Sequence, residues 1–284
     1  MGESLAPLLD APALPEELVF FEGRWTTRET LRVGALRLTR RLRDAGVKAG
    51  APVASLVPTS PSAIAAMFGV WGAGGALVPL NPRLTAAERA KVMDEVGPAA
   101  VVDHRADDLL VVDIPEHRRT VDPDVALVLY TSGTTGAPKP VMLRHRSILA
   151  GIDAVLDTLG SRERRAPASP TKERRPNLVP FSLNLWSGLY NVCFSLRVGA
   201  PIVLMRRFDP LQFADLVQRF EIKSSVLAPG MLAMLLDDPA VTDLAPLRFV
   251  RNATAPLSPE RARAFRERFG VVVLNGYGQS ELGG

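Results

Sequence analysis

The sequence predicts an α/β fold, with stacked, mostly parallel sheets and covering helices. Three observations predict it. The stretch 49–82 carries no charged residue, yet Pro52, Pro58, Pro61, Pro79 and the Gly72, Gly74, Gly75 cluster cut it into PVASLVP, SPSAIAAMFGVWGAGG and ALVPLNP. That punctuation reads as strand, helix, strand, and parallel strands covered on both faces are near-continuously apolar, so the missing charges follow from burial rather than from a bilayer span. The same alternation of short apolar runs with amphipathic segments continues along the chain. Finally, 284 residues at 47% hydrophobic and 23% charged suffice for a large core, while 22 glycines and 24 prolines exclude a coiled coil and suit short elements joined by many turns.

Taken in order, TTRETLRVGALRLTRRLRDAG sets Leu31, Leu38 and Leu42 on one helical stripe, with Thr27 or Thr26 as N-cap and Gly46 as C-cap. After the charge-free unit, LTAAERAKVMDEVG reads as an amphipathic helix and AAVVD as a short strand. DVALVLY is a strand, PVML a second short one, and HRSILAGIDAVLDTLG a helix. Further on come NLVPF, a helix near 186–197, PIVLM, the helix DPLQFADLVQRF, SSVLAP, MLAMLLDDP, LRFVRNA, the helix SPERARAFRERF and VVVLNGYG. Two subdomains are expected, 51–178 and 1–50 plus 179–284.

The net charge of +4 is local. Residues 162–175 hold Arg162, Arg164, Arg165, Lys172, Arg174 and Arg175 against Glu163 and Glu173. Prolines and alanines stand there in place of interleaved aromatics, so 160–177 reads as a solvated, flexible basic loop and no nucleic-acid partner is expected. A single cysteine, Cys193, between Val192 and Phe194, reads as a buried thiol in a reducing compartment. The N-terminus has no basic segment ahead of its apolar residues, and position 6 is Ala where myristoylation wants Ser or Thr, so a cytoplasmic protein without a membrane span is expected. His145 begins a helix, His104 and His117 read as surface positions without ligand-type partners, and no His/Cys metal site is expected.

The chemistry-bearing motif follows the strand that ends at Tyr130. It runs Thr131, Ser132, Gly133, Thr134, Thr135, Gly136, Ala137, Pro138, Lys139. Hydroxyl donors, glycines that permit close backbone approach and one lysine make a cradle for polyphosphate. With only five lysines in the chain, one inside a motif is less incidental. The glycine spacing and the strand that follows exclude a Walker A loop and with it a phosphate-loop kinase or NTPase. On composition alone, a Ser/Thr-rich hairpin turn is an equal alternative.

YTSGTTGAPK resembles the phosphate-binding motif of the adenylate-forming superfamily, which includes acyl-CoA synthetases, aryl-CoA ligases and nonribosomal adenylation domains. GAPVASLVPTSPSAIAAMFGVWGAGGALVPLNPRLTAAE resembles that family's first βαβ unit, RRFDPLQFADLVQRFEIKSSVLAPGMLAMLL its middle, and RNATAPLSPE its adenine-side loop. NGYGQSELGG resembles its tyrosine-glycine-x-threonine-glutamate motif, with Ser280 in place of threonine. The resemblance implies that Thr131, Ser132, Gly133, Thr134, Thr135, Gly136 and Lys139 surround the phosphates of ATP. It implies further that Ala255, Pro256, Gly276, Tyr277 and Gly278 hold the nucleotide, with Tyr277 on adenine. Lys139, Ser280 and Glu281 would be catalytic, and Glu281 would supply a carboxylate to Mg²⁺. VPFSLNLWSG would line the acyl pocket, with Asn184 and Trp186, and Asn252 nearby, on the substrate.

Read through the family, a carboxylic acid, fatty or another acyl acid, is activated with ATP to an acyl-adenylate and passed to CoA. A noncatalytic nucleotide or acyl binder and part of a carrier-protein-loading adenylation domain are the alternatives. Two departures stand out. Pro140 replaces the usual glycine after the motif lysine, which removes an N–H and biases Lys139 toward extended backbone. The family also continues past this point through a ribose-binding aspartate, an arginine and a C-terminal lid with its own lysine. The resemblance therefore implies an N-terminal half without its lid, and a C-terminal half on another chain is a candidate partner.

Overall fold

The structure is a computed structural model and describes residues 4–81, 83–105, 108–113, 119–131, 139–158 and 175–276. A 3₁₀ turn (Ala6–Asp10) leads into β1 (Glu17–Phe21), β2 (Arg24–Thr27), α1 (Arg28–Asp44), β3 (Pro52–Ser55), α2 (Pro61–Gly72), β4 (Ala76–Pro79) and α3 (Ala86–Val96). Next come β5 (Ala100–Arg105), β6 (Asp108–Asp113), β7 (Val125–Thr131), β8 (Lys139–Arg144) and α4 (His145–Thr158). The remainder holds β9 (Asn177–Val179), α5 (Trp186–Val198), β10 (Ile202–Leu204), α6 (Pro210–Arg219), β11 (Ser224–Leu227), α7 (Pro229–Asp237), β12 (Phe249–Asn252), α8 (Pro259–Phe269) and β13 (Val272–Asn275).

These strands form a six-stranded sheet in the order β6-β5-β3-β4-β7-β8, a four-stranded sheet β2-β1-β10-β9 and a three-stranded sheet β11-β12-β13. Of the strand pairings among the described residues only β1–β2, β5–β6 and β7–β8 are antiparallel. The α/β class with parallel-rich sheets is therefore what the sequence predicts. Alternation sets the layers: in β3, Val53 joins the core shared with α1 and α2, while Ala54 joins a second one with Val92 and Val96 of α3. A third core gathers Phe213, Leu216, Leu232, Leu235 and Phe265 of α6, α7 and α8 beneath Leu227 and Val250. Trp71 ties α2 to β7 by donating its indole N–H to the Ala126 carbonyl at 2.8 Å.

Helix starts follow the sequence signals. Thr27 accepts from the Thr30 N–H, Ser60 precedes Pro61, and Thr85 with Glu88 completes a capping box. The end of α1 differs by one residue from the sequence reading. Ala45 is the C-cap, and Gly46 (φ 82°) is the left-handed residue after it, whose N–H donates to the Arg43 carbonyl at 2.9 Å. The basic segment 160–174 lies outside the described residues; Arg175, just beyond, pairs with Glu221 at 3.0 Å, and Asn177 already begins β9.

Two histidines depart from the surface reading or add to it. His104 is half-buried and shares a 3.1 Å hydrogen bond with the Ser62 hydroxyl, because β5 runs past the first turn of α2. His145 begins α4 as read, but it is buried against Trp71, with ring centroids 5.6 Å apart. Its Nδ1 accepts from the Leu5 N–H at 3.3 Å, and burial pushes its pKa down to about 4. His117 lies outside the described residues. Cys193 is fully buried, and burial pushes its thiol up to about 12, the inert state the sequence predicts.

Candidate functional site

The motif strand β7 and its partner β8 are an antiparallel pair in which Thr131 stands opposite Lys139 and Tyr130 opposite Pro140. The hydroxyl- and glycine-rich residues 132–138 are thus the connection between two paired strands, closed at its base by the first and last residues of the motif. Lys139 is extended, as a following proline requires, and β8 is an edge strand, where the missing N–H of Pro140 is tolerated. The connection leaves the carboxyl end of β7, on the edge where α/β sheets gather ligands. Ser132, Gly133, Thr134, Thr135 and Gly136 themselves lie outside the described residues, as do Tyr277, Gly278, Ser280 and Glu281.

A second constellation forms at the carboxyl ends of β12 and β13, where Asn252 and Asn275 are register partners. Asn252 is buried, and its Nδ2 donates to the Ala255 carbonyl at 2.9 Å and to the Asn275 Oδ1 at 3.2 Å. The Gly276 N–H donates to the Asn252 carbonyl at 2.9 Å. Asn252, Ala255 and Gly276 are therefore brought together, and the Asn252 Oδ1 is a buried acceptor without a donor among the described residues. Ala255 and Pro256 are exposed. Thr254 between them and Asn252 takes φ 78°, a left-handed backbone that costs a β-branched residue about 1–3 kcal/mol and holds the turn in one shape.

A third group forms in the 180–187 segment, after β9. Asn184 uses both ends of its amide on the protein: Nδ2 donates to the Leu80 carbonyl at 2.6 Å, and Oδ1 accepts from the Ser182 hydroxyl at 2.8 Å. Thr59 joins the network through its 3.0 Å contact with the Ser182 hydroxyl and by accepting from the Leu183 N–H, also at 3.0 Å. These bonds stitch the turns after β3, β4 and β9 together, which brings the carboxyl ends of two sheets to one place. No sequence signal marks Thr59 or Ser182, because the network joins three distant loops. Gly188 seals the segment, since a Cβ there would come within 2.2 Å of the Ser182 carbonyl oxygen. Trp186 is half-buried at the start of α5, edge-on to Tyr190 with ring centroids 5.5 Å apart.

Among the described residues no group of three or more His, Cys, Asp or Glu could hold a metal ion, and no helix is long and apolar enough to cross a membrane. A cleft of about 820 Å³ opens beside Ser60, Ser62 and His104, and several of its charges are matched, Arg206 with Glu22, Arg37 with Asp108 and Glu29 with Arg32.

Comparison with known proteins gives the context. A family model described as AMP-binding enzyme matches residues 9–284. The 4-coumarate–CoA ligase 1 of Oryza sativa subsp. japonica is 30% identical over 87% of this chain and 51% of its own length. The fatty acid–[acyl-carrier-protein] ligase ScoC of Streptomyces coeruleorubidus is 31% identical over 84% of this chain and 50% of its own. ATP-bound MatB from Rhodopseudomonas palustris shares the fold at a TM-score of 0.81 and 22% identity, over 99% of this chain and 60% of that one. The chain spans about half the length of the curated relatives it matches.

Proposed function

We propose, because this chain belongs to the AMP-binding enzyme family, that it carries the nucleotide- and acid-binding half of an ATP-dependent acid-activating ligase. In this reading the carboxylate of the acid, fatty or another acyl acid, attacks the α-phosphorus of ATP in line, and pyrophosphate leaves. A thiol then takes the acyl group from the adenylate and releases AMP. One relative is named a CoA ligase and another a carrier-protein ligase, so a phosphopantetheine-type thiol is the shared acceptor chemistry, with CoA the first choice.

The observation that carries this reading is the β7–β8 pair that closes the 132–138 connection between Thr131 and Lys139. The donor set on that connection fits a polyphosphate: the hydroxyls of Thr131, Ser132, Thr134 and Thr135, backbone N–H groups at Gly133 and Gly136, and the Lys139 ammonium. These groups bind and orient the phosphates and offset charge that develops on their oxygens. Tyr277 stacks on adenine beside Ala255, Pro256, Gly276 and Gly278, and Ser280 presents a hydroxyl to the α-phosphate. Glu281 would hold Mg²⁺, which when bound neutralises phosphate charge. The free Oδ1 of Asn252 favours a donor from the ligand side, and Trp186 and Asn184 belong to the acid side. The buried thiol of Cys193 suits a reducing cytoplasm.

The test is a titration of the chain with ATP or AMP, followed by amide hydrogen exchange. Residues 131–139 and 275–281 should gain protection together. Protection in neither stretch would sink the assignment.

A further inference from the structure

One face of the three-stranded sheet carries a charge without a counter-charge among the described residues. In register, Val226, Arg251 and Leu274 form one row across β11, β12 and β13. The row is apolar at both ends, and Leu274 is 49% exposed. Arg251 is half-buried, and its stem lies over Gly276, where a Cβ would come within 3.2 Å of its Cγ and 3.3 Å of its Cδ. Glycine at 276 thus makes room for this side chain. The guanidinium has no ion-pair or hydrogen-bond partner among the described residues. Its charge also reaches the phenol of Tyr190 in α5, the ring against which Trp186 packs, and opposes the upward push of burial there. The Tyr190 hydroxyl also has no hydrogen-bond partner among the described residues.

A partly desolvated guanidinium among apolar and aromatic groups is costly while it stays unpaired, and its planar fork of donors matches a carboxylate in a bidentate way. We propose that Arg251 is a specificity-determining residue that binds a second carboxylate on the acid to be activated, so that the substrate class is a dicarboxylic acid. This rests on the reading above, in which Trp186 and Asn184 belong to the acid side and Asn252, next to Arg251 on β12, faces the ligand. One carboxylate is the reacting group. The other is held by Arg251 and does not react.

Calorimetric titration of the full chain in the presence of AMP tests it, with chain-length-matched pairs such as succinate against butanoate and terephthalate against benzoate. The diacid of a pair should bind about 10- to 100-fold more tightly, as a charge-assisted bidentate contact warrants. R251A and the near-isosteric R251Q should erase that preference while affinity for the monoacid stays level, and R251K should keep part of it. R251E should prefer ω-amino acids over diacids. A chain that binds AMP but takes both acids of each pair equally, or neither, or whose R251A and R251Q variants keep the diacid preference, overturns the role of Arg251 alone. A chain that binds no AMP overturns the functional reading and the role of Arg251 with it.

Discussion

Strand β3 of the six-stranded sheet and β13 of the three-stranded sheet are both four residues long and largely apolar, yet β3 is buried at all four positions and β13 is exposed at three of its four. Coverage makes the difference. Helices α1 and α2 close one face of the first sheet and α3 the other, so Val53 and Ala54 both vanish from solvent though they point in opposite directions. Among the described residues the second sheet has its helices α6, α7 and α8 packed on one face, and Phe249, Val272 and Leu274 are exposed on the other. In the proposal above that open face, with its one arginine, is the recognition side, whereas the doubly covered sheet is scaffold.

The comparison breaks most easily with one charge placed in each sheet. Ala54→Asp puts a carboxylate at a fully buried position of β3 with no cation in reach, and it should cost several kcal/mol, enough to abolish a cooperative thermal transition. Val272→Asp, at a position 40% exposed, should move stability by about 0.5 kcal/mol or less. Melting curves of the two variants decide it. Equal losses would mean that the face of β13 is as covered as that of β3.

A second prediction sharpens the scaffold side through pH. His145 has a folded pKa near 4, below its ordinary 6.5, so between those values the unfolded chain binds a proton that the folded one refuses. Stability should hold above pH 6.5 and fall on acidification down to about pH 4. Over that window the loss is about 3 kcal/mol for this group. His145→Asn keeps an acceptor for the Leu5 N–H without a titratable ring. The melting temperature of the variant should therefore decline less steeply from pH 7 to 4.5 than that of the parent; parallel declines would remove His145 from the account.

Much of the scaffold was legible because its signals are local. The charge-free stretch gave β3, α2 and β4, and Thr27 opened α1 where the sequence put it. The β1–β2 hairpin was missed although its signal is present. Glu22 and Gly23 sit at φ 46° and 83° between FF and RW, with Phe21 opposite Arg24, which is the two-residue turn that a Glu-Gly pair can make. The edge strand β6 was missed too, because DLLVVD is short and follows a polar stretch. At the site, the strand-loop-strand frame of the phosphate motif follows from neighbouring residues, and Ala255 and Gly276 were tied to one ligand only through the family resemblance. The Thr59–Ser182–Asn184–Leu80 network and the isolation of Arg251 do not follow from neighbouring residues. Both arise only when distant loops and strands meet, and an arginine in LRFVRNA looks like any solvated charge until its row neighbours are known.

The smallest effect discriminates most finely, since it uses the same substitution in a helix from each side of the comparison. Gly69 lies in α2, where a Cβ would come within 2.8 Å of Leu38 Cδ2, 2.9 Å of its Cβ and 3.0 Å of the Ala35 carbonyl oxygen of α1. The two helices touch through that glycine, and Thr39 reinforces the contact by donating to the Gly69 carbonyl at 3.0 Å. Gly69→Ala should therefore destabilise by about 1–3 kcal/mol, because backbone and Cβ atoms must shift rather than a flexible chain end. Gly230 lies in the first turn of α7, where a Cβ meets nothing within 4 Å. Gly230→Ala removes conformational freedom from the unfolded chain and adds helix propensity at no steric cost, so it should stabilise by about 0.4–1 kcal/mol. Denaturant midpoints at unchanged m-values report both signs. Two variants that shift the same way would mean that α1–α2 packing has slack where the contacts show none, or that the first turn of α7 is strained.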